Sequence, residues 1–190
     1  MYKIVEFSKV LMKDFILSLN KDNIICVDAT LGNGNDALFL SNLINDRGIV
    51  IGYDIQELSI ENSTKLFKEQ NINNVFPKLK SHEFIEEENI DLVIFNLGFL
   101  PGSDKTIKTN KVSSLNALKN LLPKMNQDNM LIILCLYVGH QEGLEESIVI
   151  DDFVKNLPSS RYLVTKYQNY NRPTSPYLLT ISYTKNRSQK

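Results

Sequence analysis

Tryptophan is absent from this chain of 190 residues, and cysteine and histidine occur only twice each. So few thiol and imidazole ligands, with no cysteine cluster, leave little material for a zinc site, and no metal is expected. Cys26 and Cys135 each fall inside a predicted strand. With one strand between them they would lie about 10 Å apart, beyond disulfide reach. They read as reduced core thiols, neither acting as a nucleophile. No apolar run approaches the length of a bilayer span and no signal-peptide pattern opens the chain, so the expectation is a soluble, cytoplasmic protein with no membrane partner. The net charge of −1 carries no broad basic field for nucleic acid, while 43% hydrophobic content is ample for one ordinary core. The length fits a single domain over residues 1–190. Two small basic groups remain, Lys105, Lys108 and Lys111 in one stretch and Arg161, Lys166 and Arg172 in another. Patches of that size suffice to position a folded RNA.

Glycine is sparse too, and two of the eight share one turn. Ile24 to Val27 read as a short buried strand ending at Asp28. Gly32 and Gly34 then flank Asn33, and a helical pattern starts at about Asn35. Strand, glycine turn and helix form the nucleotide-site layout of open parallel sheets, in which glycine permits close backbone approach and free N–H groups at the helix start face the ligand. The third glycine of the dinucleotide fingerprint is missing. The next strand, Gly48 to Asp54, ends in an acid suited to a ribose diol. A nucleoside without a pyrophosphate fits this turn better than NAD does, and S-adenosylmethionine is such a molecule.

Apolar spacing over residues 3–19 predicts an amphipathic helix against a sheet. Gln56 to Gln70 form another helix, and Val75 to Lys80 a strand whose Pro77 marks an edge. Ile90 to Phe95 read as the fourth strand and Asn110 to Met125 as a helix. Met130 to Tyr137 are almost wholly apolar, as a central strand covered on both faces must be. Gly139 to Gly143 make a polar turn before a helix that runs to about Asn156. Tyr162 to Gln168 and Tyr177 to Thr184 form a closing antiparallel hairpin. The pattern is α/β: a doubly wound, mostly parallel seven-stranded sheet. Its carboxyl rim gathers Asp28, Asp54, Ser81, His82, Asn96, Gly139 and His140, where such sheets bind their ligands.

Asp28-Ala-Thr-x-Gly-Asn-Gly34, Tyr53-Asp-Ile-Gln56, Ser81-His82, Asn96-Leu-Gly-x-Leu-Pro-Gly102, Tyr137-x-Gly-His140 and Gln168-x-x-Asn171 together resemble the class I methyltransferases of the YtqB or MnmM type. The likeness covers nearly the whole chain. It implies a Rossmann-like fold, S-adenosylmethionine as methyl donor, and tRNA as substrate. Family members methylate the aminomethyl group of a modified wobble uridine to the methylaminomethyl form, and some are described as homodimers. The chain departs from the family pattern where Asn35 replaces His, Gly102-Ser-Asp-Lys105 replaces Gly-Gly-Asp-His, and Gln141-Glu142 replaces Pro-Gly. A further departure is Arg172-Pro-Thr-Ser-Pro176 in place of an Asn-Asn-Pro-Pro type run. Apart from Asn35, these departures fall in the loops facing the acceptor, and the donor site otherwise keeps the family pattern.

Asp28, Asn33 and Asn35 are expected at the methionine end of the donor, with Gly32 and Gly34 admitting its approach. Asp36 at the helix start either structures the turn or touches the donor. Asp54, with Gln56 beside it, is assigned to the ribose hydroxyls, and Ser81 and His82 to the adenine. Asn96 is the candidate to accept from the attacking amine and aim its lone pair. Asp104 is a candidate to hold or deprotonate that amine, and His140 a second. Lys105, Lys108 and Thr109 are expected to meet phosphates of the tRNA anticodon loop. Tyr137, Tyr170 or Tyr177 could stack on an unpaired base. Other readings are methylation of rRNA, protein or a small amine, an NAD-dependent oxidoreductase, and a non-catalytic RNA-binding module.

Overall fold

The computed structural model of this chain describes residues 3–98 and 111–184. Every residue of β5 (Leu131–Leu136) is buried, and β4 (Leu92–Leu97) is buried at all but Asn96. Continuous apolar runs of this kind tolerate no solvent on either face, which makes them interior strands. They pair in parallel, and β4 pairs on its other side with β1 (Ile24–Asp28). Beyond β1 lie β2 (Gly48–Asp54) and then β3 (Val75–Leu79), giving the order β3-β2-β1-β4-β5-β7-β6. β3 is the expected edge, with Phe76 and Leu79 about half exposed.

β6 (Tyr162–Tyr167) and β7 (Tyr177–Tyr183) form the expected hairpin. The last strand is the inner one: β7 runs antiparallel against β5, and β6 takes the edge. Their burial explains the order, because Leu178, Leu179 and Ile181 of β7 are buried whereas Leu163 of β6 is exposed.

Alternate side chains of each strand serve opposite faces. Val27, Val93, Phe95 and Ile132 share one core with Leu118 and Leu121 of α4 (Lys111–Leu121) and Ile150 of α5 (Gln141–Lys155). Cys26, Leu92, Ile94 and Ile133 share the other with Met12 and Ile16 of α1 (Ile4–Ser18), Leu40 of α2 (Asn35–Ile44) and Phe67 of α3 (Glu57–Glu69). Cutting a fully buried leucine such as Leu118 or Leu40 to alanine would cost about 2–5 kcal/mol. Cys26 and Cys135 are free and buried, on strands separated by β4. Burial raises both thiols, Cys135 to about 12, so neither supplies a thiolate near neutral pH.

Several boundaries differ from the sequence reading. β4 starts at Leu92 rather than Ile90, because Ile90 instead bridges Met125 and the fully buried Asp91 carboxylate turns to Lys21 at 2.8 Å and the Ile25 N–H at 3.0 Å. The helix before β5 stops at Leu121, and Leu122–Lys124 tighten into a 3-10 turn around Pro123. Gly143, expected in a turn, lies in the first turn of α5. A Cβ there would stand 2.1 Å from the Tyr137 carbonyl oxygen.

Candidate active site

Strand order reverses between β1 and β4, and their carboxyl ends open onto a cleft of about 1240 Å³. Its first wall is the turn after β1. Gly32 has φ 50° and Gly34 φ 81°, the left-handed region that side chains resist. The Leu31 N–H donates to the Tyr53 carbonyl at 2.9 Å and the Gly34 N–H to the Leu31 carbonyl at 2.8 Å. The Asp54 carboxylate locks this turn, accepting from the Gly32 N–H and the Gln56 N–H at 2.9 Å each. Gly32, Asn33 and Asn35 line the cleft beside Asp54 and Gln56, as expected. Gly34 does not: its lack of a side chain makes room for Phe67 and Ser63 of α3.

Asp28 is 1% exposed and stands behind the turn rather than on the cleft wall. One of its oxygens accepts from the Thr30 N–H at 3.1 Å, and the other has no partner among the described residues. Asp36, also buried, does reach the cleft. Burial raises both carboxyls above the usual range, and the Asp36 charge raises Asp28 further. Lys9 of α1 lies 4.0 Å from Asp36.

Asn96 joins this cluster from the end of β4. Its backbone N–H donates to the Thr30 hydroxyl at 2.7 Å, and its side-chain Nδ2 donates to Asp36 at 3.4 Å. With the amide nitrogen turned to the carboxyl, the amide oxygen is the end left to accept. Thr30, which sets the strand end, stands in the Asp28-Ala-Thr-x-Gly-Asn-Gly34 motif, but the sequence reading gave it no role.

Ser81 and His82 follow β3, where the Ser81 hydroxyl accepts from the Glu83 N–H at 3.2 Å and caps a short 3-10 turn. His82 Nδ1 lies 3.0 Å from the Ala29 carbonyl. A carbonyl only accepts, so Nδ1 carries the proton and Nε2 holds a lone pair. That Nε2 is buried without a partner among the described residues, the ring meets Phe95 edge-on, and burial lowers its pKa so that it stays neutral.

The opposite wall comes from the β5 end and α5. Tyr137 packs its ring on Gly98, and His140 caps α5 by accepting the Gly143 N–H on Nδ1 at 2.9 Å. An Nδ1 that accepts carries no proton, so the helix cap occupies one of the two ring nitrogens. Glu146, one and a half turns into α5, also lines the cleft, 8% exposed, with the Ser114 hydroxyl donating to it at 2.5 Å. Sequence reasoning missed this residue, since a Glu-Glu pair in a helix reads as solvated surface.

Asp104, Lys105, Lys108 and Thr109 lie outside the described residues. Of the proposed stacking tyrosines, Tyr170 is fully exposed and Tyr137 lines the cleft. Tyr177 is excluded: it is buried under Lys166, with its hydroxyl donating to Asp151 at 3.1 Å. Of the second basic group, Arg161 stacks over Tyr162 and Tyr183, and Lys166 pairs with Asp151 at 3.3 Å.

A family model described as "Putative rRNA methylase" matches residues 50–182. The chain is 36% identical over 167 residues to the chloroplastic tRNA (mnm(5)s(2)U34)-methyltransferase of Arabidopsis thaliana, covering 80% of this chain and 61% of that protein's length. Among solved structures, a putative rRNA-methylase from Clostridium thermocellum superposes with a TM-score of 0.87 at 29% identity, covering 97% of this chain and 99% of that one. A putative methyltransferase from Streptococcus mutans, solved in complex with SAH, gives 0.82 at 29% identity over 97% and 99%.

Proposed function

The chain belongs to the rRNA methylase family, and we propose that it is an S-adenosylmethionine-dependent RNA methyltransferase acting on tRNA. The acceptor in this reading is the aminomethyl group of 5-aminomethyl-(2-thio)uridine at the wobble position, and the product is the methylaminomethyl form. One observation carries the reading: Asn96, at the switch between β1 and β4, has its amide nitrogen spent on Asp36 and its oxygen left to accept from an amine. The Arabidopsis relative's name and the SAH held by the Streptococcus mutans relative support it.

The residues fit the donor. Asp54 stands where a ribose diol needs an acceptor, and each of its oxygens has a second lone pair beyond the backbone N–H it holds. A sulfonium and an ammonium are cations, and the Asp36 carboxyl that reaches the cleft complements them. The buried Nε2 of His82 is an acceptor without a partner among the described residues, suited to an exocyclic amine. When bound, S-adenosylmethionine supplies a methyl group on a sulfonium, open to in-line displacement by an amine lone pair. Gly32, Asn33, Asn35 and Gln56 bind and orient at the first wall. Asn96 holds one N–H of the acceptor, so that the nitrogen lone pair points away from its amide oxygen and into the cleft.

The test is a transfer assay with purified protein and methyl-labelled donor. tRNA bearing the unmethylated aminomethyl uridine should be labelled, and mass spectrometry of wobble nucleosides should find the methylaminomethyl form lost from cells without the gene. Label on rRNA with none on that tRNA overturns the wobble assignment.

A further inference from the structure

Glu146 has no place in the donor site. It projects from α5, over the β4–β5 side of the sheet, whereas Asp54 and the glycine turn occupy the β1–β2 side. It nevertheless lines the same cleft, at 8% exposure. The fully buried Ser114 of α4 donates to its Oε1 at 2.5 Å, which fixes the rotamer and holds the carboxyl against the cleft wall. Burying a carboxylate is costly unless a cation or several donors meet it.

Among the described residues, the groups around it on that wall are few. His140 and Glu142 come from the start of α5, Tyr137 from the end of β5 and Ser114 from α4. Tyr137 is raised to about 12 by burial and is neutral. His140 spends Nδ1 on the Gly143 N–H. Burial raises Glu146 itself, with the Ser114 hydrogen bond opposing.

An aliphatic aminomethyl group reaches the enzyme as an ammonium at neutral pH. It has no lone pair until one N–H proton leaves, so the cleft needs a group that attracts a cation and then takes a proton. We propose that Glu146 is that group: its carboxylate receives the acceptor's alkylammonium and accepts one N–H proton. The N–H bond breaks with its electron pair left on nitrogen, giving a neutral amine and a neutral carboxylic acid. Solvent takes the proton back after transfer. The Ser114–Glu146 pair thereby selects an aliphatic amine over a ring nitrogen or a hydroxyl, neither of which arrives as a cation. This rests on the amine-methylating reading above and adds the base that reading lacks.

The test uses the full chain and tRNA bearing aminomethyl uridine, with single-turnover rates followed against pH, SAH affinity by calorimetry, and thermal melting. Wild-type transfer should rise with pH along an acidic limb. Glu146→Gln should slow transfer by ~10²-fold or more near pH 7. It should keep wild-type SAH affinity and recover rate as the pH approaches the amine's own pKa, where free amine needs no base. Glu146→Asp should restore part of the rate. A wild-type rate and pH profile in Glu146→Gln overturns the proposal, as does a loss that tracks SAH affinity and does not recover with pH. Should Glu146→Gln fail to fold, Ser114→Ala decides. Losing the hydroxyl that favours the carboxylate should move the acidic limb to higher pH, and an unmoved limb overturns the proposal. Failure of the wild-type protein to label this tRNA is a separate result, which removes the wobble reading itself.

Discussion

Asp54, at the end of β2, holds Gly32 in the turn that leaves the neighbouring strand β1, through a 2.9 Å bond from the Gly32 N–H. Its other oxygen holds the Gln56 N–H at the start of α3, also at 2.9 Å. One carboxylate thus shapes the glycine turn and presents itself to the cleft. Asp54→Ala should therefore act twice. Losing two charge-assisted bonds should destabilise the fold by about 1.5–3 kcal/mol, and SAH binding should weaken by ~10-fold or more. Denaturant melts and calorimetry read the two effects separately. Wild-type affinity in this variant would take Asp54 out of the donor site.

Asn96→Ala should behave in the opposite way. Its backbone bond to Thr30 survives the substitution, so the strand end and SAH affinity should hold. Transfer in a single turnover should slow by ~10²-fold or more, the loss associated with a positioned polar group in the reaction. A variant that loses donor affinity and rate together would assign Asn96 to the donor instead.

Gly34→Ala tests the turn itself. The new Cβ would meet the Phe67 ring at 2.8 Å and Ser63 at 2.9 Å, at a backbone φ of 81°. The left-handed conformation alone costs about 1–3 kcal/mol for a residue with a side chain. Removing the clash with Phe67→Ala should not recover that part, because the backbone at Gly34 stays at φ 81°. The thermal midpoint of the single and double variants measures both.

Asp28 makes stability depend on pH with an unusual sign. Its carboxyl is raised to about 8 in the folded protein, first by burial and then by Asp36, against ~4 when unfolded. Between those values the folded chain holds a proton that the unfolded chain has lost. Its contribution is therefore greatest below pH ~4, falls as pH rises, and falls no further above about 8. Asp28→Asn should flatten the stability profile between pH 5 and 7 by at least ~1 kcal/mol, the order of one pKa unit. Urea titrations at several pH values check it, and an unchanged slope would place the proton elsewhere.

Much of the architecture was legible in the chain because the strands are short apolar runs closed by turn residues. β2 and β5 fall within one residue of the expected bounds, and Pro77 marked the edge strand correctly. β4 slipped by two residues for a reason no local window contains. Ile90 and Asp91 look like strand, but the Asp91 carboxylate is claimed by Lys21, 70 positions away. The inner position of β7 was hidden likewise, since both hairpin strands carry enough apolar residues to sit beside β5.

The chain by itself determined the alternation of strand and helix, the polar rim of strand ends, and the glycine turn with the acid two strand ends away from Ser81. These follow from periodicity and from backbone angles that glycine alone adopts easily. The tertiary structure decided which of those polar groups reach the cleft. Asp28 is withdrawn behind the turn, His140 has one nitrogen consumed by the helix it caps, and Glu146 is pressed from an ordinary-looking helix into the wall by Ser114. The reason is physical: a side chain's type is local, but its burial, its partners and hence its protonation are set by elements that meet it only after folding.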